Sequence, residues 1–380
     1  MNRGRIYLSP PDLRGREAEI VNDIITSNWI APVGPSLDQF ERVLAERIGK
    51  KASVAVSSGT AAMHLALRGA GVTAGDRVFC SDLTFAGSCN PIIYLSAEPV
   101  FIDSEPESWN MSPLALEMAF DDARKQGRMP KAVIIVNLYG QSADMDALLP
   151  ICEQYGVAVI EDAAESLGAR YKGRESGSFG RYTILSFNGN KIITTSSGGM
   201  VLSDNEEDVS KCRYWATQAR EPVRHYEHRD IGYNYRLSNV LAGIGLGQFQ
   251  MLDEKIARRR GIYHRYREAF SDLGEIGMMP IPAWSEPNYW LSCLVVDPGA
   301  SVGPADIMHA LDAENIESRP VWKPMHCQPV FRDLPFHAHG ERSTSEDLFQ
   351  RGVCLPSGSG MSDDEQALVI SVIRKAFGRD

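Results

Sequence analysis

Between residues 53 and 203, short runs of β-branched and aliphatic residues alternate with stretches of helical periodicity. That alternation restricts the chain to a mostly parallel sheet wrapped by helices, because parallel neighbours cannot be joined by a hairpin and each crossover needs a helix. Strands are expected at residues 53–56, 77–80, 99–102, 132–137, 157–161, 182–185 and 199–202, and helices include 60–69, 145–155 and 208–218. Ligands of such α/β sheets gather at the carboxyl ends of the strands, so the segments that follow each strand deserve the closest reading.

Downstream, a helical stretch runs from 238 to about 270, broken only by glycines, and residues 277–283 read as a connector. A strand at 290–296 and helices near 303–313, 343–351 and 363–377 describe a smaller α+β domain. A chain of 380 residues exceeds the usual size of a single core, and the expected division is a large domain at 1–250 and a small one at 251–380.

The bulk composition excludes several classes of function. Hydrophobic residues at 43% and charged residues at 23% suit an ordinary globular protein, and a net charge of −10 argues against a nucleic-acid or anionic-membrane surface. Neither a signal peptide nor a bilayer-spanning stretch is apparent, so a cytoplasmic location is expected. The seven cysteines are scattered without zinc or disulfide spacing, which points to reduced thiols and no metal.

Four segments at strand ends carry chemistry. Ser57-Ser58-Gly59-Thr60 joins a strand to a helix, where free amide groups and hydroxyls converge on a point that suits a phosphate; plain capping by Ser58 or Thr60 is the simpler alternative. Asp162, in Glu161-Asp162-Ala163-Ala164-Glu165, offers an inward carboxylate, which a pyridinium nitrogen needs in order to stay protonated. Phe85 follows a strand and presents an aromatic face at the same rim, able to stack on a flat ring. Lys191 closes Ser186-Phe187-Asn188-Gly189-Asn190-Lys191; an amine in a partly desolvated pocket can attack an aldehyde, and pyridoxal phosphate is the cofactor that uses such a lysine. His64 reads as a packed helix residue, and the pair His225 and His228 lacks a third ligand nearby and reads as a substrate loop rather than zinc.

This ordered set, with Gly232-Tyr233-Asn234-Tyr235-Arg236-Leu237, Trp29-Ile30-Ala31-Pro32 and Trp322-Lys323-Pro324-Met325-His326, resembles the DegT/DnrJ/EryC1/StrS sugar aminotransferases over nearly the whole chain. The resemblance implies a fold-type-I, pyridoxal-phosphate-dependent aminotransferase working as a homodimer with sites at the subunit interface. It gives Lys191 the cofactor's aldehyde, Asp162 the ring nitrogen and Phe85 the ring face. Ser58, Gly59, Thr60 and Ser186 would surround the phosphate, which Asn234 would reach from the partner subunit. Trp29, His225, His228, Trp322 and His326 are the weaker substrate contacts it suggests.

Two departures stand out. Glu165 occupies a position where the family commonly has glutamine bonded to the cofactor's ring hydroxyl, and a carboxylate there is repulsive unless one partner holds a proton. Residues 188–195 also lack the family's usual proline before the lysine. With Thr217-Gln218-Ala219-Arg220 and the His225–His228 segment, these features are similar to the bacillosamine-route branch. The implied reaction moves an amino group from L-glutamate to the C4 ketone of UDP-2-acetamido-2,6-dideoxy-4-keto-hexose, giving UDP-4-amino-4,6-dideoxy-N-acetylglucosamine. Alternatives are a GDP- or dTDP-linked substrate and a non-catalytic regulatory relative; a dehydratase of the same family would carry histidine in place of Lys191.

Overall fold

The computed structural model describes residues 4–379. Its centre is an eight-stranded sheet built from β1 (Ala52–Val56), β2 (Arg77–Ser81), β3 (Glu98–Ile102), β4 (Pro130–Val136), β5 (Ala158–Asp162), β6 (Tyr182–Ser186), β7 (Gly199–Ser203) and β8 (Phe336–His337). The order across the sheet is β1-β7-β6-β5-β4-β2-β3-β8, parallel throughout except for β7, which runs antiparallel to both neighbours. All seven strands expected between residues 53 and 203 are present, each shifted by two residues or fewer at either end.

Alternate residues of each strand serve different cores, which is why the runs read as continuously apolar rather than two-faced. Val78, Cys80 and Ile134 pack with the helix Gly59–Gly69, while Phe79, Val133 and Ile135 pack with the helices Pro113–Gln126 and Met145–Gln154. The loops leaving β1, β5 and β6 therefore open at one edge, and the candidate residues arrive there together.

Two expectations need correction. The stretch 238–270 is two helices, Asn239–Gln250 and Leu252–Ala269, divided at Met251. Just before that division, Gln248 is drawn into the interior, where its amide donates to Asp12 O at 2.8 Å and its carbonyl accepts from Lys255 Nζ at 2.7 Å. The connector begins as a strand instead: Ile276–Met278 pairs antiparallel with Leu294–Val296 at the edge of a four-stranded sheet completed by Gly352–Leu355 and Arg319–Pro320.

Contacts cross the 250/251 division in both directions. Ile6 is buried in the core of the second sheet and its backbone pairs with Asn315 and Glu317, whereas β8, from the C-terminal part, extends the large sheet beside Phe101 and Ile102. Among the described residues no helix is long and apolar enough to cross a membrane.

Candidate active site

Ser58, Gly59, Thr60, Phe85, Asp162, Glu165, Ser186, Lys191 and Trp322, scattered over the sequence, line one cavity of about 260 Å³ at the carboxyl ends of β1, β5 and β6. Ser58 caps the helix Gly59–Gly69 by accepting from Ala61 N at 3.0 Å. Capping and anion binding are compatible here, because Ser58 takes only the Ala61 amide and Gly59 and Thr60, at the start of the same helix, line the cavity. Close approach favours glycine at 59: a Cβ there would stand 3.0 Å from Ser186 Cβ and 3.2 Å from its Oγ, so Ser186 would have to give way.

Asp162 ends β5 almost wholly buried, with Oδ2 accepting from Ser88 Oγ at 2.7 Å and Oδ1 from Ala164 N at 3.1 Å. Burial pushes its carboxyl above the ordinary value, while Ser88, the Ala164 amide and the positive Lys191 pull it back. An anion held this way gains from a cationic nitrogen brought beside it.

Lys191 sits on the loop after β6 with its side chain one-tenth exposed and Nζ 3.5 Å from Glu165 Oε1. Burial pushes Glu165 up to about 7, and the nearby Lys191 charge opposes that rise. The other Glu165 oxygen accepts from Tyr139 N at 2.7 Å. Tyr139 itself is held in the left-handed region (φ 52, ψ 21), a backbone cost of the kind that collects at functional sites. The carboxylate that the sequence marks as a departure is thus both ion-paired and able to hold a proton near neutrality.

Aromatic rings wall the opening. Phe85, 60% exposed, lies with its ring centre 5.9 Å from that of Trp322, and Tyr139 and Trp290 pack behind Trp322 at 5.2 and 6.3 Å. Phe85, Asn190, Trp290 and Trp322 also border a second cavity of about 730 Å³, lined by Tyr7, Leu8, Ser9, Glu317, Arg319 and Lys323, so the two spaces adjoin across a shared wall. Ser88, Tyr139 and Trp290 went unseen in the sequence. Asn288-Tyr289-Trp290, a polar residue and two aromatics opening a strand, was the only available signal for the last.

The other candidates lie apart. Asn234 is exposed and accepts from Gln218 Nε2 at 3.1 Å. His225 pairs with Glu227 at 3.1 Å, and His228 Nδ1 lies 2.8 Å from Gln218 O. Trp29, 49% exposed, borders a separate groove beside Asn239. None of these lines either cavity of its own chain. His326 lies outside both cavities as well, fixed between Asp82 Oδ2 at 2.7 Å and Glu346 Oε1 at 2.9 Å, and stacked on Phe336.

Residues 11–374 match the sequence profile of the DegT/DnrJ/EryC1/StrS aminotransferase family. The chain belongs to that family. EpsN of Bacillus subtilis strain 168, provisionally described as a pyridoxal phosphate-dependent aminotransferase, is 56% identical to this aminotransferase over 98% of its length and 96% of EpsN. GDP-perosamine synthase of Caulobacter vibrioides is 35% identical, with 97% of each chain covered. Among solved structures, a DegT/DnrJ/EryC1/StrS aminotransferase from Brucella abortus superposes with a TM-score of 0.88 at 28% identity over 96% of each chain. The enzyme is a pyridoxal-phosphate-dependent sugar aminotransferase of fold-type I. Its residues fit that cofactor: a helix N-terminus closely approached by Ser186 at Gly59, a buried carboxylate at Asp162 and an amine at Lys191 share one cavity.

Proposed function

We propose that this aminotransferase acts on a UDP-linked 2-acetamido-2,6-dideoxy-4-keto-hexose, taking the amino group from L-glutamate and delivering it to C4 of the sugar. The observation that carries a nucleotide-sugar substrate is that the lysine cavity adjoins the larger one, with four lining residues in common. The larger cavity adds Lys323, which forms no ion pair among the described residues and suits a diphosphate, and Arg319, which is paired with Glu317 at 2.9 Å, beside the apolar faces of Tyr7 and Trp322. The sugar end would lie over Lys191 and the nucleotide would extend beneath the N-terminal segment.

When bound, pyridoxal phosphate supplies the electron sink that makes the donor's α-proton removable. Ser58, Gly59, Thr60 and Ser186 would hold its phosphate, Asp162 would keep a proton on its ring nitrogen, and Phe85 would cover its face. Lys191 Nζ takes the proton from the donor carbon and, in the second half of the cycle, delivers one to C4 of the sugar. Glu165 alternates between pairing with the protonated Lys191 and holding a proton toward the ring hydroxyl, which removes the repulsion that a fixed carboxylate would impose. The aromatic wall excludes water from this exchange.

The proposal includes a homodimer in the cytoplasm. Its support is the cluster of exposed apolar residues Trp29, Ile30 and Val33, together with Asn234 facing outward where a second copy could use it. All seven cysteines are free, as a reducing compartment allows. A GDP-linked 4-keto sugar is the second reading, favoured by the 35% identity to a GDP-perosamine synthase. Incubating the enzyme with cofactor, glutamate and UDP-, GDP- and dTDP-linked 4-keto sugars, followed by mass and NMR analysis of products, decides between them. Amination of the GDP compound alone overturns the UDP proposal.

A further inference from the structure

Lys191 has two tasks in the transamination assigned above, holding the cofactor and carrying a proton, and the second begins only after its amine has been displaced. A displaced lysine has many rotamers, so it needs a fixed place from which to act. The structure contains such a place. Nζ lies 4.2 Å from the centre of the Trp290 ring and 3.5 Å from Glu165 Oε1, between an aromatic face and a carboxylate.

The Trp290 ring is itself tied to the backbone that carries the lysine. Its indole Nε1 donates to the carbonyl of Asn190 at 2.7 Å, and Ser9 Oγ donates to the same carbonyl at 2.8 Å. Arg259, fully buried, joins both parts by donating to Trp290 O at 2.5 Å and Ser9 Oγ at 3.0 Å. The ring is 2% exposed, yet it forms part of the wall of both cavities, so this face is turned to the site rather than to the core. An aromatic face and a carboxylate attract an ammonium far more than a neutral amine.

We infer that Trp290 is a positioning residue for the lysine: with Glu165 it forms a seat that receives the Lys191 amine once it carries the proton. Neutral, the amine is released to the cofactor; protonated, it is held within reach of the carbon to which the proton returns. The seat therefore acts on turnover more than on substrate binding.

The test uses W290L, which removes the aromatic face, and W290F, which keeps a face but loses the indole hydrogen bond. Expected for W290L is a fall in kcat of about tenfold with KM for glutamate within about twofold, and for W290F a fall of less than about threefold. A second readout needs no cofactor: reductive methylation of the apoprotein, quantified on the peptide containing Lys191, proceeds about fivefold faster in W290L because the amine is no longer shielded. Should W290L fail to fold, uniform tetrafluorotryptophan incorporation keeps the ring's shape while draining its negative face, and is expected to lower kcat in the wild type but not in W290F. W290F falling as far as W290L, or wild-type labelling and kcat in W290L, overturns the seat. A wild type that takes up no cofactor would instead overturn the functional reading itself.

Discussion

Replacing Glu165 by glutamine isolates the physical consequence of burying that carboxyl. Its folded-state pKa, pushed up to about 7, stands above the ordinary 4.5 of the unfolded chain. The native state therefore binds the proton more tightly than the unfolded state, and this contribution to stability is fully present below about 4.5 and is lost as pH rises through about 7. A gap of about 2.5 units at 1.36 kcal/mol each corresponds to roughly 3 kcal/mol. Glutamine does not titrate, and its amide oxygen can still accept from Tyr139 N. The stability of E165Q relative to the parent should accordingly rise by up to roughly 3 kcal/mol between pH 4.5 and 7.5 and then level off, whatever the offset at low pH. For a chain of this length that is a relative shift in Tm of about 4 °C. Thermal denaturation of both cofactor-free proteins at fixed concentration across this pH range is the assay. Parallel curves for parent and variant would refute the assignment of a raised pKa to Glu165.

Further substitutions test other parts of the site. Gly59→Ala places a methyl group against Ser186 and should weaken cofactor affinity about tenfold with little effect on Tm, measured by equilibrium titration of the apoprotein. Asp162→Asn keeps the hydrogen bond from Ser88 but loses the anion, and should retain cofactor while kcat falls by about 100-fold or more in steady-state assays. Arg259→Met strands Trp290 O and Ser9 Oγ without their shared donor and should cost about 3 kcal/mol in urea denaturation.

The sheet was legible because β1 to β7 are buried on both faces, and continuous apolar runs bounded by glycine, asparagine and aspartate leave few alternatives. Phe336–His337 was not, since two residues carry no periodicity and pair with β3 only because the surrounding loop is held there. The division at Met251 was hidden for a similar reason: no proline marks it, and the buried polar partners of Gln248 come from the distant Asp12 and from Lys255. At the site, Lys191, Asp162 and Gly59 were visible because each follows a strand that delivers it to the same edge. Trp290 and Tyr139 were invisible because their roles arise from neighbours more than 25 residues away, such as Asn190 and Glu165.

The proposed function depends above all on the amine of Lys191 capturing the cofactor's aldehyde. Borohydride reduction of the cofactor-loaded enzyme, followed by digestion and mass analysis, reads this directly. A pyridoxyl adduct on the peptide containing Lys191, with Lys191→Ala still binding cofactor but unable to turn over, is the predicted result. An unlabelled Lys191 peptide from enzyme that aminates sugars, or normal turnover by Lys191→Ala, would contradict it.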